Sequence, residues 1–243
     1  MKRTAIFLLC MVISVITFGQ EQKRHLLPEV EVTPPRFTGN EEVLTKLQGD
    51  GFGYLKDYLV SNIQYPEHSL IWMEEGTEVV RFVVTPTGEV TDFDVINSVC
   101  PEIDKEVIRV LKTTSGMWMP ASNNGKPVAI EKEISVAFST DELDAAKRFV
   151  GIAKACFTSG NNKLFIKKNN KKALNFYNLA IRYVPNDKSL LLTRGICKYE
   201  LGDKSGACKD WNRIKTLGGF EGDSYLDNFC EFKGYAEMMD TIK

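Results

Sequence analysis

Histidine is nearly absent from this 243-residue chain, which has only His25 and His68, neither well placed for catalysis. No GxSxG, P-loop, HExxH or dinucleotide fingerprint appears, so no known catalytic motif supports an enzyme. Asp92 and Asp94 share one face of an expected strand and read as solvent-facing rather than as an acid–base pair. The six cysteines form no CxxC, and none has a histidine nearby in sequence, which argues against zinc. No sign of charge dominates: 31 Lys and Arg face 32 Asp and Glu, interspersed, for a net charge of −1. That excludes the basic footprint of a nucleic-acid binder. The composition, 43% hydrophobic and 26% charged, is that of an ordinary globular chain.

Long apolar runs are also missing, except at the start. Lys2 and Arg3 precede an uncharged stretch from Ala5 to Gly19, followed by the polar QEQKRH. Fifteen residues rise only about 22 Å as a helix, short of a ~30 Å hydrocarbon core. The pattern predicts a signal peptide over 1–19, cleaved near Gly19 or Gln20, and a mature chain in the periplasm of a Gram-negative bacterium. An uncleaved anchor is the alternative. Cys10 lies within the run before Met11, a poor context for lipid attachment.

Residues 20–36 are polar and carry Pro28, Pro34 and Pro35, so they read as an extended leader. From 37 to 139 the periods mix. GFGYLKDYLVSNI sets Phe52, Leu55, Leu59 and Ile63 on one helical face. EVVRFVVT and EVTDFDVINS read as strands joined by PTG. PEIDKEVIRVLKTT starts a helix at Pro101, with Ile103, Val107, Val110 and Leu111 on one side. VAIEKEISVAF then alternates: Val128, Ile130, Ile134, Val136 and Phe138 face one way, interrupted by Lys132, and Ala129, Glu131, Glu133, Ser135 and Ala137 face water. The expectation is a small α+β domain with a three-stranded antiparallel sheet and two helices.

At Ser139 the period becomes helical, with Ser139 and Glu142 as a candidate capping box. Ala173 and Ala207 are 34 residues apart, as are Tyr177 and Trp211. Small residues where helices cross, with an aromatic four positions later, resemble tetratricopeptide repeats. The resemblance covers Lys154 to Gly219 and rests on Ala173, Tyr177, Ala180 and Pro185 in one repeat and Gly195, Ala207 and Trp211 in the next. Asn161 stands where the first repeat's small glycine is expected, and Ile214 replaces a later alanine. Residues 140–243 are thus expected to be an all-α domain, with repeats over about 154–187 and 188–221. The helix bearing Leu143, Ala146, Val150, Ala153 and Phe157, and the tail SYLDNFCEFKGYAEMM, are the expected caps. Cys208 and Cys230 are a candidate disulfide, buried free thiols being the alternative. The lysines of KLFIKKNNKK read as a solvated helix end rather than a docking patch.

Residues Phe37 to Phe138 resemble the C-terminal domain of the TonB family. The resemblance rests on YLVSNIQYP, then GTEVVRFVVTPTGEVTDFDVINS with Gly76 and Gly88, IDKEVIRVLKTT, Trp118 and Pro120 of MWMPA, and NNGKPV, in that order. It implies that Gln64, beside Tyr65 and Pro66, touches the TonB box of outer-membrane receptors. It also implies that this peptide adds as a strand beside Val128, Ile130, Lys132, Ile134, Val136 and Phe138. Ordinary roles for these residues, Tyr65 capping the core and Gln64 a surface amide, stay open. Family transducers carry a membrane anchor and a long proline-rich arm, whereas this leader is short. The expected function is therefore a periplasmic protein-binding adaptor in TonB-dependent transport. Its partners would be proteins: outer-membrane receptors and an inner-membrane motor complex. No cofactor, metal, nucleic acid or small-molecule substrate is needed. An anchored energy transducer and a purely structural envelope subunit are the alternatives.

Overall fold

Strand β3, Gly76–Val84, is the centre of the main sheet, and its alternation sets the two faces. It pairs antiparallel with β4 (Val90–Asn97) on one side and β8 (Ile130–Phe138) on the other, giving the order β4-β3-β8. Val80 lies opposite Ile134 and Val84 opposite Ile130, so the apolar positions of the two strands stack on one face. The register with β4 shifts between Arg81 and Val83, near Asp92, whose φ of 51° lies in the left-handed region. Gly88 makes the β3–β4 turn at φ +81°, and a Cβ there would strike the Trp118 carbonyl.

The computed structural model describes residues 31–39, 52–141 and 144–230, all in one compact unit that begins at Glu31. The expected signal segment, Glu142, Leu143 and the end of the tail lie outside the described residues, as does the side chain of Phe52. Among the described residues no helix is long and apolar enough to cross a membrane.

Helix α1 (Phe52–Asn62) and α3 (Pro101–Thr113) cover the apolar face, with the short α2 (Glu67–Ile71) between them in sequence. Ile103, Val107, Val110 and Leu111 are fully buried, joined by Leu55 and Leu59. Trp118 meets Phe37 and Phe82 edge-on at 5.3 and 5.7 Å and donates Nε1 to Thr114 Oγ1 at 3.1 Å. Burying each such aliphatic side chain contributes about 1.5–3 kcal/mol.

Among the described residues the sheets number three, not one. β1 (Val32–Thr33) pairs with β6 (Ala121–Asn123), which also pairs with β7 (Lys126–Val128), while β2 (Arg36–Phe37) pairs with β5 (Trp118–Met119). The end of the expected leader is therefore stitched to the domain. The expected strand through Val128 is broken at Ala129, where the chain leaves one sheet for another.

The second half is helical: α4 (Ala145–Asn161), a π-helical turn (Asn162–Ile166), α5 (Asn170–Tyr183), α6 (Lys188–Glu200), α7 (Lys204–Thr216) and α8 (Asp223–Phe229). Asn169, Asp187 and Asp203 cap α5, α6 and α7, their side chains accepting from Lys172, Leu190 and Gly206 N–H groups at 3.0, 2.9 and 2.8 Å. Such caps contribute about 1 kcal/mol each. Ala173, Tyr177, Ala180, Ala207 and Trp211 are fully buried, and Pro185 and Gly195 are buried too.

The glycine of the first pair is Gly160, not the position of Asn161. A Cβ on Gly160 would come within 2.6 Å of Tyr177, and one on Gly195 would strike Trp211 in the same way. One extra residue separates Gly160 from Ala173 relative to Gly195 and Ala207, and the π-turn lies within that stretch. Asn161 instead accepts from Tyr177 Oη at 2.7 Å. The face of α4 also differs from expectation. Phe149, Ala153, Cys156 and Gly160 are buried, Val150 is exposed and Phe157 only half-buried. The expected capping box depends on Glu142, which lies outside the described residues; Ser139 Oγ donates to the Asp141 carbonyl and accepts from Arg148, and α4 begins at Ala145. Cys208 and Cys230 are joined by a disulfide; Cys100, Cys156 and Cys197 are free and buried.

The outward face of the sheet is only partly wet: Ala129, Glu131, Ser135 and Ala137 are exposed as expected, whereas Glu133 and the β3 side of that face are covered. Val79 is fully buried there, and Thr77 Oγ1 donates to the Tyr183 carbonyl at 2.7 Å. Arg213 of α7 grips Glu133 of β8 through two bonds of 2.5 and 2.6 Å. The helical half thus packs on part of the face that alternation alone assigns to solvent, at β3 and Glu133.

Candidate functional site: a sheet margin and the Gln-Tyr-Pro step

The free side of β8 is the feature that most needs a partner. In an antiparallel pair, alternate residues direct their N–H and C=O groups away from the neighbouring strand. β8 pairs with β3 from Phe138 to Ile130, and on its other side no backbone bond is made to it among the described residues. The leader strands go elsewhere, to β5 and β6. An unpaired margin of this length is a template for an added strand.

Most inward side chains of β8, and Glu133 on the outward face, are already committed. Ile134 and Phe138 are buried in the core, Ile130, Lys132 and Val136 are half-buried on the same face, and Val128 belongs to β7 opposite Ala121. On the other face Glu133 is held by Arg213 and approached by Arg81 at 4.0 Å. A ligand here would therefore be bound through main-chain groups, with little contribution from these side chains.

Tyr65 links this strand to the Gln-Tyr-Pro step. Its ring meets Phe138 edge-on at 5.4 Å, and its hydroxyl donates to the Glu74 carbonyl at 2.7 Å. Burial raises its pKa. Pro66 adopts φ −60° and ψ 133° and caps α2, holding the chain extended before that helix. The Gln64 N–H donates to Glu106 Oε1 at 2.7 Å, leaving the side chain exposed. Glu106 is fixed in turn by Arg109 at 2.7 and 2.8 Å, and this bonding holds its carboxyl below the usual range. Gln64, Tyr65 and Pro66 line one side of a depression of about 420 Å³ with Lys105 and Arg109 of α3 on the other. His68 is exposed, beside Trp72.

Three functional-looking groups escape the sequence reading. Glu78 sits at an apolar phase of β3, opposite Val136, and is fully buried. Its Oε2 accepts from Val99 N–H at 2.9 Å, and burial pushes its carboxyl up to about 8. Its position among apolar residues was the available signal. Glu75 is bracketed by Arg148 at 2.7 and 2.8 Å and by Thr140 at 2.6 and 2.7 Å, which draws its carboxyl down to about 2 against the opposing effect of burial. Asp210 is buried and bound by both Arg194 and Lys198. Asp92 and Asp94 are exposed and separated by the register shift. Glu74, Cys100 and Glu102 converge to within 4.8 Å, but the Cys100 thiol is raised by burial and lies 3.1 Å from Ser69 Oγ.

Residues 61–140 match the family model described as Gram-negative bacterial TonB protein C-terminal. Two solution structures of the TonB C-terminal domain from Helicobacter pylori are similar to part of the chain. One is 22% identical and covers 39% of this chain and 99% of its own, with a TM-score of 0.32. The other is 19% identical and covers 43% and 95%, also with a TM-score of 0.32. No curated protein matches the chain. The helical half lies beyond the matched residues.

Proposed function

We propose that this chain is a periplasmic adaptor in TonB-related envelope transport, receiving an extended peptide as a new strand along β8. The observation that carries the reading is the margin of β8, without a strand partner among the described residues while its inward face is packed on the core. The family match over 61–140 supports it, and so does the Gln64–Tyr65–Pro66 step, anchored on Phe138 at the end of the same strand. A TonB-box segment of an outer-membrane receptor is the proposed ligand. Main-chain pairing would supply most of the affinity, and Gln64 a polar contact at one end. The mature chain is proposed to begin near Gln20.

The helical half is proposed to be a tetratricopeptide pair that engages a second protein. Its support is the shared 34-residue offset of the Asn169 and Asp203 caps, the Ala173 and Ala207 crossings and the Tyr177 and Trp211 rings. The π-turn accommodates the one-residue irregularity of the first repeat. α4 on one side, and α8 with the Cys208–Cys230 link on the other, would close its ends.

Hydrogen exchange with and without a TonB-box peptide tests the strand addition. Alternate amides of β8 should exchange quickly in the free protein and become protected in the complex. Neighbouring Glu131→Pro and Lys132→Pro variants refine the result. The one whose N–H points away from β3 should fold normally and lose binding, since proline is tolerated only on that side of an edge strand. Binding with no change in β8 protection would sink the proposal.

A further inference from the structure

A cleft of about 580 Å³ opens between the outward face of the sheet and helices α6 and α7. Its size is within the ~300–1,000 Å³ usual for ligand sites. We propose that this cleft binds a short acidic peptide segment, independently of strand addition at β8.

The walls supply positive charge that the protein only partly neutralises. Buried Asp210 is held by Arg194 at 2.6 and 2.9 Å and by Lys198 at 2.9 Å, so two cations share one carboxylate. Across the cleft, Arg81 makes only loose ionic contacts, 3.9 Å to Glu131 and 4.0 Å to Glu133. Glu131 is largely in solvent, and Glu133 is already taken by Arg213. Lys209, exposed on the α7 wall, has no partner among the described residues. Asp94 is the only other acid on the lining. The chain as a whole carries a net charge of −1, so this cationic excess is local, and a concave wall focuses its field on an entering anion.

A peptide fits better than a small inorganic anion for two reasons. The cations come from three elements, Arg81 of β3, Arg194 and Lys198 of α6 and Lys209 of α7, so a ligand with several carboxylates engages more of them than a single compact anion does. Ile181, Pro185 and Leu191, which are buried, belong to the same lining and give it an apolar part. A segment that alternates acidic and apolar side chains satisfies both features. Arg81 and Lys209, which lack close partners, are the groups free to meet incoming carboxylates.

Fluorescence anisotropy of the purified full-length protein with a labelled Asp-Leu-Glu-Asp peptide tests this. Saturable one-to-one binding is expected at low salt, weakening as salt is added. Lys209→Glu should reduce affinity by about tenfold or more, and Arg81→Gln should reduce it as well. Lys171→Glu, a reversal on an exposed lysine outside the cleft lining, should leave it unchanged, as should a tolerated proline in β8 away from Glu131, at Lys132 or Ser135 according to which N–H points away from β3. Unchanged thermal melting of the variants would confirm that folding is intact. The proposal is overturned if no saturable binding occurs, if Lys171→Glu weakens binding as much as Lys209→Glu, or if inorganic phosphate at equal concentration displaces the peptide. Loss of TonB-box binding in the β8 variant with acidic-peptide binding intact would separate the two sites.

Discussion

Replacing Glu78 by Gln should flatten the pH dependence of folding stability on the alkaline side. The carboxyl is fully buried on β3, has one N–H donor in Val99, and leaves Oε1 without a hydrogen-bond donor among the described residues. Burial is the main reason its pKa rises from 4.5 to about 8; nearby Asp104 adds to the rise and the Val99 N–H opposes it. Because the native value lies above the unfolded one, the native state prefers the protonated acid. Stability from this residue is complete below pH 4.5, declines as pH rises through about 8, and is level beyond. At about 1.4 kcal/mol per pH unit over that interval, the full loss is on the order of 5 kcal/mol. Glutamine keeps the shape and an acceptor for Val99 but cannot ionise. It also buries an amide N–H₂, a pH-independent cost of about 1–3 kcal/mol. The assay is urea unfolding of both proteins at intervals from pH 4 to 9.5. The difference between the two curves isolates Glu78, because the other titrating groups are common to both. The variant should be equal or weaker near pH 4 and stronger by a few kcal/mol near pH 9. Parallel curves would refute the argument and mean that Glu78 is ionised or hydrated in the native state.

Glu75 should act in the opposite direction. Its native value of about 2 lies below 4.5, so its stabilisation is present above pH 4.5 and is lost as pH falls towards 2, and Glu75→Gln should abolish that acid-limb loss of about 3 kcal/mol in the same measurement. Phe149→Ala should cost about 3–5 kcal/mol while Val150→Ala costs well under 1; thermal unfolding that reverses this order would mean that α4 presents the other face. Replacing both Cys208 and Cys230 by Ser opens a link between residues 22 apart and should cost about 3 kcal/mol by the loop-entropy relation, read from urea midpoints under non-reducing conditions.

The sequence made some elements readable because their partners are local. α3 carries its own start signal in Pro101 and its own buried stripe, and both are where the 3.6 period puts them. The alternation of β3 and β8 likewise gives their shared apolar face. Contacts made far along the chain were hidden. Glu133 looks like part of a solvent face until Arg213, 80 residues beyond it, is brought onto it. In α4, Phe149, Val150 and Ile152 are all apolar, so two phases fit almost equally and only packing against Tyr183 selects Phe149. The π-turn has no signature in composition, yet it offsets the small-residue pattern of the first helix pair by one. The margin of β8 was legible as a strand, but its availability depends on the leader pairing with β5 and β6, which local pattern does not disclose.

The packing of the two halves bears directly on what the proposed peptide would do once bound. β8 is paired along its length to β3, whose preceding residue Glu75 is clamped by Arg148 of α4 and whose outward face meets α5. β8 is also clamped directly to α7 through Glu133 and Arg213. A load applied along an added strand would therefore be shared between the sheet and the helices at two separated ionic contacts, rather than carried by a flexible linker. Both contacts are partly shielded from water, and both are bidentate arginine–carboxylate pairs, the geometry that resists shear better than a single lysine contact. Under the proposed adaptor role these clamps would keep the β8 margin in fixed orientation to a second protein, and breaking both with Arg148→Met and Arg213→Met should loosen the relative orientation of the halves while leaving β8 peptide affinity within about twofold. Small-angle scattering and peptide titration on the same samples would check this; loss of affinity in parallel with loosening would instead make the helical half part of the peptide site.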